Sequence, residues 1–155
     1  MENSGVMKGE ILERKKLRSW HGLEVHITIY NSHWAKTGFL VHPQIANFFM
    51  RFGLPEKVRV EMEILHEFGH IQTFPLVLIY YVPFLLVNES GWLNFAVISA
   101  GMLLFWELIS EIYVLMKYRG YLKIYRNNLH PVTAVYWTVL IPSAVIPFIP
   151  LLSSI

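Results

Sequence analysis

Apolar and polar positions divide the chain into a patterned N-terminal part and three long apolar runs. Residues 23–30 alternate between the two classes and are rich in β-branched and aromatic types, which predicts a strand. Asn31-Ser32 marks a turn, and a second β-like run over residues 37–42 ends at Pro43. Two short strands form a marginal sheet on their own, so we expect them to pack on the helix that follows.

Helical spacing replaces alternation after the second strand. Residues 43–52 are expected to form a short helix that ends at Gly53. Pro55 and Glu56 are typical of a first helical turn, and the long helix predicted over residues 56–72 carries apolar side chains at helical intervals. This helix therefore has an apolar face for the sheet and a second face for polar residues.

Each of the three apolar runs is long enough to cross a bilayer. Residues 71–88 contain no charge, and we expect Pro75 and Pro83 to kink them, with Pro75 separating the preceding helix from the membrane span. A polar cluster at residues 88–91 predicts a tight hairpin into the second run, residues 92–116. The third run, residues 132–155, is interrupted only by prolines and is expected to end on the far side of the membrane.

Basic residues determine the expected orientation. Residues 1–19 are polar and then basic, without the apolar stretch of a signal peptide, so we expect a solvated arm or a short helix, with attraction to anionic head groups as the alternative. Residues 117–128 are expected to form a basic, tyrosine-rich loop. Basic residues lie on the same side of the predicted spans as residues 56–70, and none lies near residues 88–91. The positive-inside rule therefore predicts that the side with residues 56–70 faces the cytoplasm.

Composition agrees with an integral membrane protein. The chain has 155 residues, of which 54% are hydrophobic, and its mean hydropathy of +0.41 is too high for an ordinary soluble domain. The absence of cysteine excludes a disulfide framework, a zinc–thiolate site and a thiol nucleophile. A net charge of +2 without a basic stripe indicates no nucleic-acid partner.

We therefore expect one α+β domain over residues 1–155, with about three transmembrane helices. Residues 1–54 form a cytoplasmic β-ribbon and a short helix. Residues 55–116 form two apolar helices joined by a hairpin, and residues 117–155 form a basic loop and a third span.

The stretch His66-Glu67-Phe68-Gly69-His70 carries the candidate chemistry of the long helix. Histidines at i and i+4 lie on one helical face and hold Zn²⁺ through nitrogen, while the glutamate between them reaches a metal-bound water. In this hypothesis the metal lowers the pKa of the water, and Glu67 accepts its proton as general base and later hands it to the leaving amine. The pattern also arises by chance, so a third ligand is needed before it indicates a metal site.

The third ligand has few candidates. The chain contains no aspartate, and its only carboxylates after Glu67 are Glu89, Glu107 and Glu111. Glu107 and Glu111 lie one turn apart inside an apolar run, where charges are costly and usually functional. At about 1.5 Å per residue, these two and the histidines all lie about 30 Å from the predicted hairpin. The residues alone therefore place the site at the membrane surface opposite the hairpin and leave either glutamate as ligand.

The order of a strand, a helix with HExxH and a helix with paired acids resembles the gluzincin metallopeptidases. Within them it is similar to the CAAX prenyl and heat-shock membrane peptidases and to the β-lactam sensor peptidases, over about residues 25–111. The resemblance implies a small β-ribbon packed on the HExxH helix, Zn²⁺ as cofactor and Glu107 as third ligand. It gives Glu111 a supporting role in orienting a ligand imidazole, although the family has aspartate at that position.

The resemblance also concerns the substrate. It implies that the strand before the HExxH helix edges the cleft and pairs with substrate backbone. In this chain that strand comprises Gly38, Phe39, Leu40, Val41 and His42. Some members carry a downstream His-Pro, and His130-Pro131 resembles it. This resemblance implies that His130 is a catalytic group that stabilises the oxyanion. The residues themselves favour a loop or helix-start position for His130. Structural or surface positions are expected for three further histidines, His21, His26 and His33.

These features predict a minimal membrane-bound zinc endopeptidase that cuts peptide or membrane-protein substrates at the cytoplasmic membrane surface, with oligomerisation left open. The alternative is a non-catalytic protein that holds metal structurally, or a pseudopeptidase that binds peptide without cutting it. Glu67 separates the two, because a structural site has no use for a base beside an open coordination position. A metal carrier would need acidic residues along a path through the spans, and only Glu107 and Glu111, near one surface, are present.

Overall fold

The computed structural model describes residues 9–87 and 92–145. Four strands come first: β1 (Ile11–Arg18), β2 (Glu24–Tyr30), β3 (Trp34–Thr37) and β4 (Leu40–Pro43). Five helices follow: α1 (Ile45–Met50), α2 (Glu56–Val87), α3 (Trp92–Lys117), α4 (Tyr121–Asn128) and α5 (Pro131–Val145). The α+β class is therefore confirmed. The hairpin predicted at residues 88–91 and the end of the third apolar run lie outside the described residues.

The sheet is antiparallel with strand order β1-β2-β3-β4. The prediction of a solvated arm or short helix over residues 1–19 is wrong for its second half, because β1 pairs with β2 from Ile11↔Tyr30 to Arg18↔Glu24. Its basic side chains remain exposed, and Lys16 forms an ion pair with Glu24 at 2.7 Å. Leu12 and Leu17 pack against the core, so a few apolar contacts and a partner strand outweigh the polar local sequence.

The single strand predicted over residues 37–42 is also wrong. The chain turns at Gly38, whose φ of 63° lies in the left-handed region that glycine adopts without strain. Thr37 pairs with Leu40 across this turn, which makes β3 and β4 a hairpin. Consequently β4 is one of the two edge strands of the described sheet, the other being β1.

The sheet packs on α2 through one apolar cluster. Val25, Ile27 and Ile29 alternate along β2 and are buried against Val60, Ile64 and Phe68, which follow one face of α2. Burying each such side chain contributes about 1.5–3 kcal/mol. This contact turns the face of α2 that carries His66 and His70 away from the sheet core and toward Glu107 of α3.

Pro75 does not separate two helices, so that prediction is wrong: α2 runs without a break from residue 56 to residue 87. Proline has no N–H for the carbonyl oxygen four residues earlier, which is that of Ile71. Here that oxygen contacts Nε2 of His21 at 3.0 Å. The sheet therefore supplies the partner that the helix lacks.

Helices α2 and α3 approach closely at Gly69. A Cβ atom at this position would lie 2.9 Å from the carbonyl oxygen of Ser110 and 3.1 Å from its Cα, which is closer than real side chains come. Nearby, the indole of Trp106 donates a hydrogen bond to Thr73 Oγ1 at 3.1 Å. The glycine inside the motif thus allows the two backbones to touch where the candidate ligands meet.

The predicted basic loop at residues 117–128 is mostly helix α4, so the loop prediction is wrong. Gly120, with a φ of 84°, lets the chain leave α3 and begin the new helix at once. Tyr121 is buried in a second apolar cluster with Leu54, Met62 and Val114. Packing of its tyrosines, rather than its polar composition, therefore organises this segment.

Within residues 9–87 and 92–145, one helix is long and apolar enough to cross a membrane by length and composition, over Phe95–Lys117 of α3. The segment Pro131–Pro142 of α5 is apolar but shorter.

Candidate metal centre

Three candidate ligands of the sequence motif lie together between α2 and α3. Nε2 of His66 is 2.9 Å from Oε2 of Glu107, and Nε2 of His70 is 3.5 Å from its Oε1. One ligand atom from each of the three residues lies within 4.8 Å of the others, so this group could hold a metal ion. Bonds of about 2.0–2.1 Å in a tetrahedral zinc site separate donors by roughly 3.3 Å, which lies between the 2.9 Å and 3.5 Å of the two contacts with Glu107.

Both imidazoles have an oxygen partner on the nitrogen that points away from Glu107. Nδ1 of His66 lies 2.8 Å from Oε2 of Glu111, and Nδ1 of His70 lies 2.8 Å from Oγ of Ser110. A partner oxygen that accepts from Nδ1–H leaves Nε2 free as a metal ligand and holds the ring orientation. The Glu111 carboxylate therefore selects the tautomer that a metal site needs for His66, and the Ser110 hydroxyl can accept the Nδ1 proton in the same tautomer of His70.

Glu111 is held behind His66 by a buried network. The guanidinium of Arg51 donates to its Oε2 at 2.6 Å, and the Tyr121 hydroxyl donates to its Oε1 at 2.5 Å. Side chains of Arg51 and Glu111 are 0% and 1% exposed, so this ion pair lies away from water. Glu111 thus sits on the Nδ1 side of His66, whereas Glu107 sits on the Nε2 side.

Sequence reasoning did not identify Arg51 or Tyr121 as partners of Glu111; it considered Tyr121 only as a possible oxyanion donor, like Tyr118. Arg51 is the only charged residue between Pro43 and Glu56, and an isolated charge in an apolar segment usually has a buried partner. That signal was available, although the sequence does not show that the partner is Glu111. Tyr121 carried no signal, because a tyrosine in a basic segment has many surface explanations.

Charge on His66 reflects its surroundings. Burial by itself lowers the pKa of an imidazole, but hydrogen bonds and charge interactions with Glu107 and Glu111 outweigh burial and raise the pKa of His66 to about 9. His66 is therefore cationic at neutral pH without metal. A divalent ion would replace the proton on its Nε2.

Four side chains donate to the Glu67 carboxylate. Gln44 Nε2 donates to Oε1 at 2.7 Å and Asn47 Nδ2 donates to the same oxygen at 3.4 Å. Oε2 accepts from Thr37 Oγ1 at 3.2 Å and lies 3.2 Å from Nε2 of His42. Burial would raise the pKa of Glu67, but the His42 hydrogen bond and the charges of nearby histidines lower it to about 2, so the carboxylate is ionised.

Gln44 and Asn47 were also missed. They lie three residues apart at the start of α1, on one helical face, and both are buried. Buried amides need hydrogen-bond partners, so this spacing in an otherwise apolar helix was a usable signal. The sequence does not show that their partner is Glu67, because the contact forms between α1 and α2 in the folded protein.

A cleft of about 860 Å³ opens beside Glu67, His70 and Glu107. Of the predicted substrate strand, Gly38 and Phe39 form the turn, and Leu40 and His42 lie on β4; all four line the cleft. Val41 is not among the described residues that line it, because successive side chains of a strand point to opposite faces. Apolar side chains from the helices complete the wall: Ile71, Phe74, Leu103 and Trp106.

The structure does not bring His130 into this cleft. Its ring packs on Phe52, with centroids 4.6 Å apart, and its Nδ1 accepts a hydrogen bond from the Val132 amide at 3.3 Å. Its carbonyl oxygen accepts the amide of Ala134, in the first turn of α5. These contacts support the helix-start position rather than the predicted oxyanion-stabilising role.

None of the three histidines expected to be structural belongs to the group of candidate ligands. His21 contacts the Ile71 carbonyl oxygen and lines the cleft, and His26 lies exposed on β2. His33 packs its ring against Phe48 at 4.9 Å.

Comparisons of the chain with models of protein families, with curated proteins and with solved structures find no match. Interpretation of the centre therefore depends on its own geometry.

Proposed function

We propose that the protein is a membrane-bound zinc endopeptidase with its active site at the cytoplasmic surface of the membrane. One observation carries the proposal: the Nε2 atoms of His66 and His70 both face Glu107, while Glu67 lies beside them in an open cleft. A metal held by two imidazoles and one carboxylate, with room for a further ligand, is the arrangement of catalytic rather than structural zinc sites.

His66, His70 and Glu107 would hold the ion, with Glu111 and Ser110 holding the two imidazoles in place. Two nitrogens and one carboxylate oxygen suit zinc, since calcium and magnesium prefer oxygen ligands alone. Bound zinc would supply a water of lowered pKa and polarise the peptide carbonyl.

Glu67 has the position and ionisation state of a general base. Its Oε1 is fixed by Gln44 at 2.7 Å, whereas its Oε2 has two longer contacts, with Thr37 and His42. To accept a proton from water, Oε2 must exchange one of these two partners for the water molecule. Because both partners belong to the β3–β4 hairpin, movement of that hairpin when substrate binds provides the exchange.

The cleft fits an extended peptide with apolar side chains. Its edge is β4, whose outer side no described strand pairs, so a substrate segment can add to it through backbone hydrogen bonds. Leu40 on this strand and Phe39 in the turn are 58% and 96% exposed. Apolar substrate residues would cover these side chains.

Helix α3 supports the proposed membrane placement. A core helix of a soluble protein is mostly buried, whereas 28% of the most apolar window of Phe95–Lys117 is buried inside the protein. Glu107 and the ligands from α2 would then lie near one end of the spans, on the side of the basic residues in β1 and α4. We extend the same reasoning to three spans in α2, α3 and the run that begins in α5.

A specific observation favours the second candidate, a pseudopeptidase. Both oxygens of Glu67 already have partners, and a pKa of about 2 makes a weaker base than one matched to neutral pH. If the β3–β4 hairpin does not move, the protein would bind metal and peptide without cutting.

The test is Glu67→Gln in purified full-length protein. This variant should retain about one zinc per chain and lose hydrolysis of a casein or peptide-library substrate by at least about 100-fold. His70→Ala should lose the zinc as well, and His26→Ala serves as the exposed control. Equal cleavage by Glu67→Gln and the parent would refute the catalytic role. Metal binding without cleavage by any of the proteins would favour the pseudopeptidase.

A further inference from the structure

The turn of α2 that follows the metal ligands lacks a helical hydrogen bond. Pro75 has no N–H, so the carbonyl oxygen of Ile71, directly after His70, has no donor in its own helix. The proline ring also crowds that carbonyl and pushes it outward. An unpaired carbonyl at this position would loosen the turn that carries His70.

The loop between β1 and β2 supplies the missing donors. Nε2 of His21 lies 3.0 Å from the Ile71 carbonyl oxygen, and Nε1 of Trp20 donates to the Gln72 carbonyl oxygen at 2.9 Å. The backbone N–H of Trp20 also donates to Oε1 of Gln72, at 3.3 Å. Consecutive loop residues thus bind consecutive carbonyls of the helix.

The loop is itself built to hold His21 in the donating tautomer. Oγ of Ser19 accepts the Leu23 amide at 2.9 Å and lies 3.1 Å from Nδ1 of His21. With the Ser19 hydroxyl donating to Nδ1, the ring carries its proton on Nε2, which faces Ile71. Ser19 is 5% exposed and anchors the loop, while Trp20 is 71% exposed and lies on the surface of α2.

We propose that Trp20 and His21 are positioning residues for the metal centre: they replace the helical hydrogen bond that Pro75 removes and so hold His70 at its ligand distance. The inference depends on the proposed metal site. His70 has its Nδ1 on Ser110 of α3, and the following residue is fixed by His21 of the sheet. His21 also lines the cleft, so the same loop forms part of the substrate wall.

A double-mutant cycle between His21 and Pro75 tests this arrangement in the full-length protein. His21→Phe removes the donor, and we expect the zinc dissociation constant to rise about fivefold to tenfold, as for loss of one hydrogen bond. Pro75→Ala restores an N–H for the Ile71 carbonyl, so His21→Phe in that background should raise the constant by less than about twofold. His21→Gln keeps a donor and should retain most of the affinity.

The control is His26→Phe, the same substitution at an exposed position of β2. Thermal unfolding responds to any lost contact and does not report ligand geometry. The visible spectrum of bound Co²⁺ does report ligand geometry. This spectrum should change in His21→Phe and should match that of the parent again in the double variant. An unchanged zinc constant in His21→Phe, or an equal loss with and without Pro75, would overturn the inference. If the parent binds no zinc, the proposed function fails, and the same cycle on metal-free unfolding still decides whether His21 substitutes for the helical donor.

Discussion

Replacement of Gly69 by alanine tests whether the contact between α2 and α3 determines the geometry of the metal centre. The added Cβ would lie 2.9 Å from the carbonyl oxygen of Ser110, whereas ordinary contact begins near 3.4 Å. The Gly69 Cα and the Ser110 carbonyl oxygen both belong to helical backbone, so neither can move as the end of a flexible side chain does. The helices must therefore separate by about 0.5 Å at this point.

This separation acts directly on the ligands, because His66 and His70 lie on one helix and Glu107 lies on the other. Metal–ligand distances in zinc sites lie within about 0.2 Å of their usual values, so a shift of about 0.5 Å between the two helices is larger than that margin. Mutation of the groups that orient metal ligands typically costs about 10-fold to 100-fold in metal affinity, and we take the same range for a displaced ligand. We expect the zinc dissociation constant of Gly69→Ala to rise within this range.

Chelator competition with the purified protein measures the change. Stability is a poor readout, because alanine improves intrinsic helix propensity by about 1 kcal/mol and offsets part of the strain. Ala100→Ser, which also adds one heavy atom but on the exposed surface of α3, is the matched control. Wild-type zinc affinity in Gly69→Ala would show that the backbone contact does not fix the ligand distances.

Three further predictions concern the groups around the ligands. Arg51→Met leaves Glu111 buried without its cation and should lower the free energy of unfolding by about 3–5 kcal/mol, measured by denaturant titration in detergent. Adding Glu111→Gln to the same chain should recover part of the loss. If Arg51→Met causes no loss, the pair is not buried in solution. Gln44→Leu removes the 2.7 Å hydrogen bond to Glu67 and should lower kcat about 10-fold or more with little change in KM or zinc content, whereas a change in KM alone would point to a substrate contact. Because the pKa of His66 is about 9, zinc competes with its proton below that pH, and zinc affinity should rise about tenfold per pH unit toward pH 9. Calorimetry in two buffers at about pH 7.5 should therefore show release of about one proton per zinc. The absence of proton release would contradict the ion pair described for His66.

Sequence reasoning succeeded where a short pattern determines the contact. Spacing of four residues put His66 and His70 on one helical face, and the same spacing put Glu107 and Glu111 on another. Alternation predicted β2, because its inward residues, including Ile27 and Ile29, pack on α2. In each case the neighbour that matters is local, or the buried face is continuous enough to show in the sequence.

It failed where a distant partner decides the structure. The polar residues of β1 are stabilised as a strand by pairing with β2, and α2 continues through Pro75, where the Ile71 carbonyl oxygen contacts His21 of the β1–β2 loop. Helix α4 depends on burial of Tyr121 beside Glu111. None of these contacts shows in the residue's own sequence pattern, since the partners lie 6 to 19 residues away for β1, from Arg18↔Glu24 to Ile11↔Tyr30, 10 residues away for Tyr121 and 50 residues away for His21.

Charge balance provides a further argument that the centre is built for a divalent cation. Three carboxylates, those of Glu67, Glu107 and Glu111, are gathered beside one permanent cation, Arg51. Buried carboxylates without compensating charge are costly, so two positive charges remain to be supplied. Without metal, protonation of His66 supplies one, and the pKa of His42, raised chiefly by its hydrogen bond to Glu67, helps to supply the other. A divalent ion held by His66, His70 and Glu107 would supply both charges and would leave His66 in the neutral form in which imidazole is a ligand.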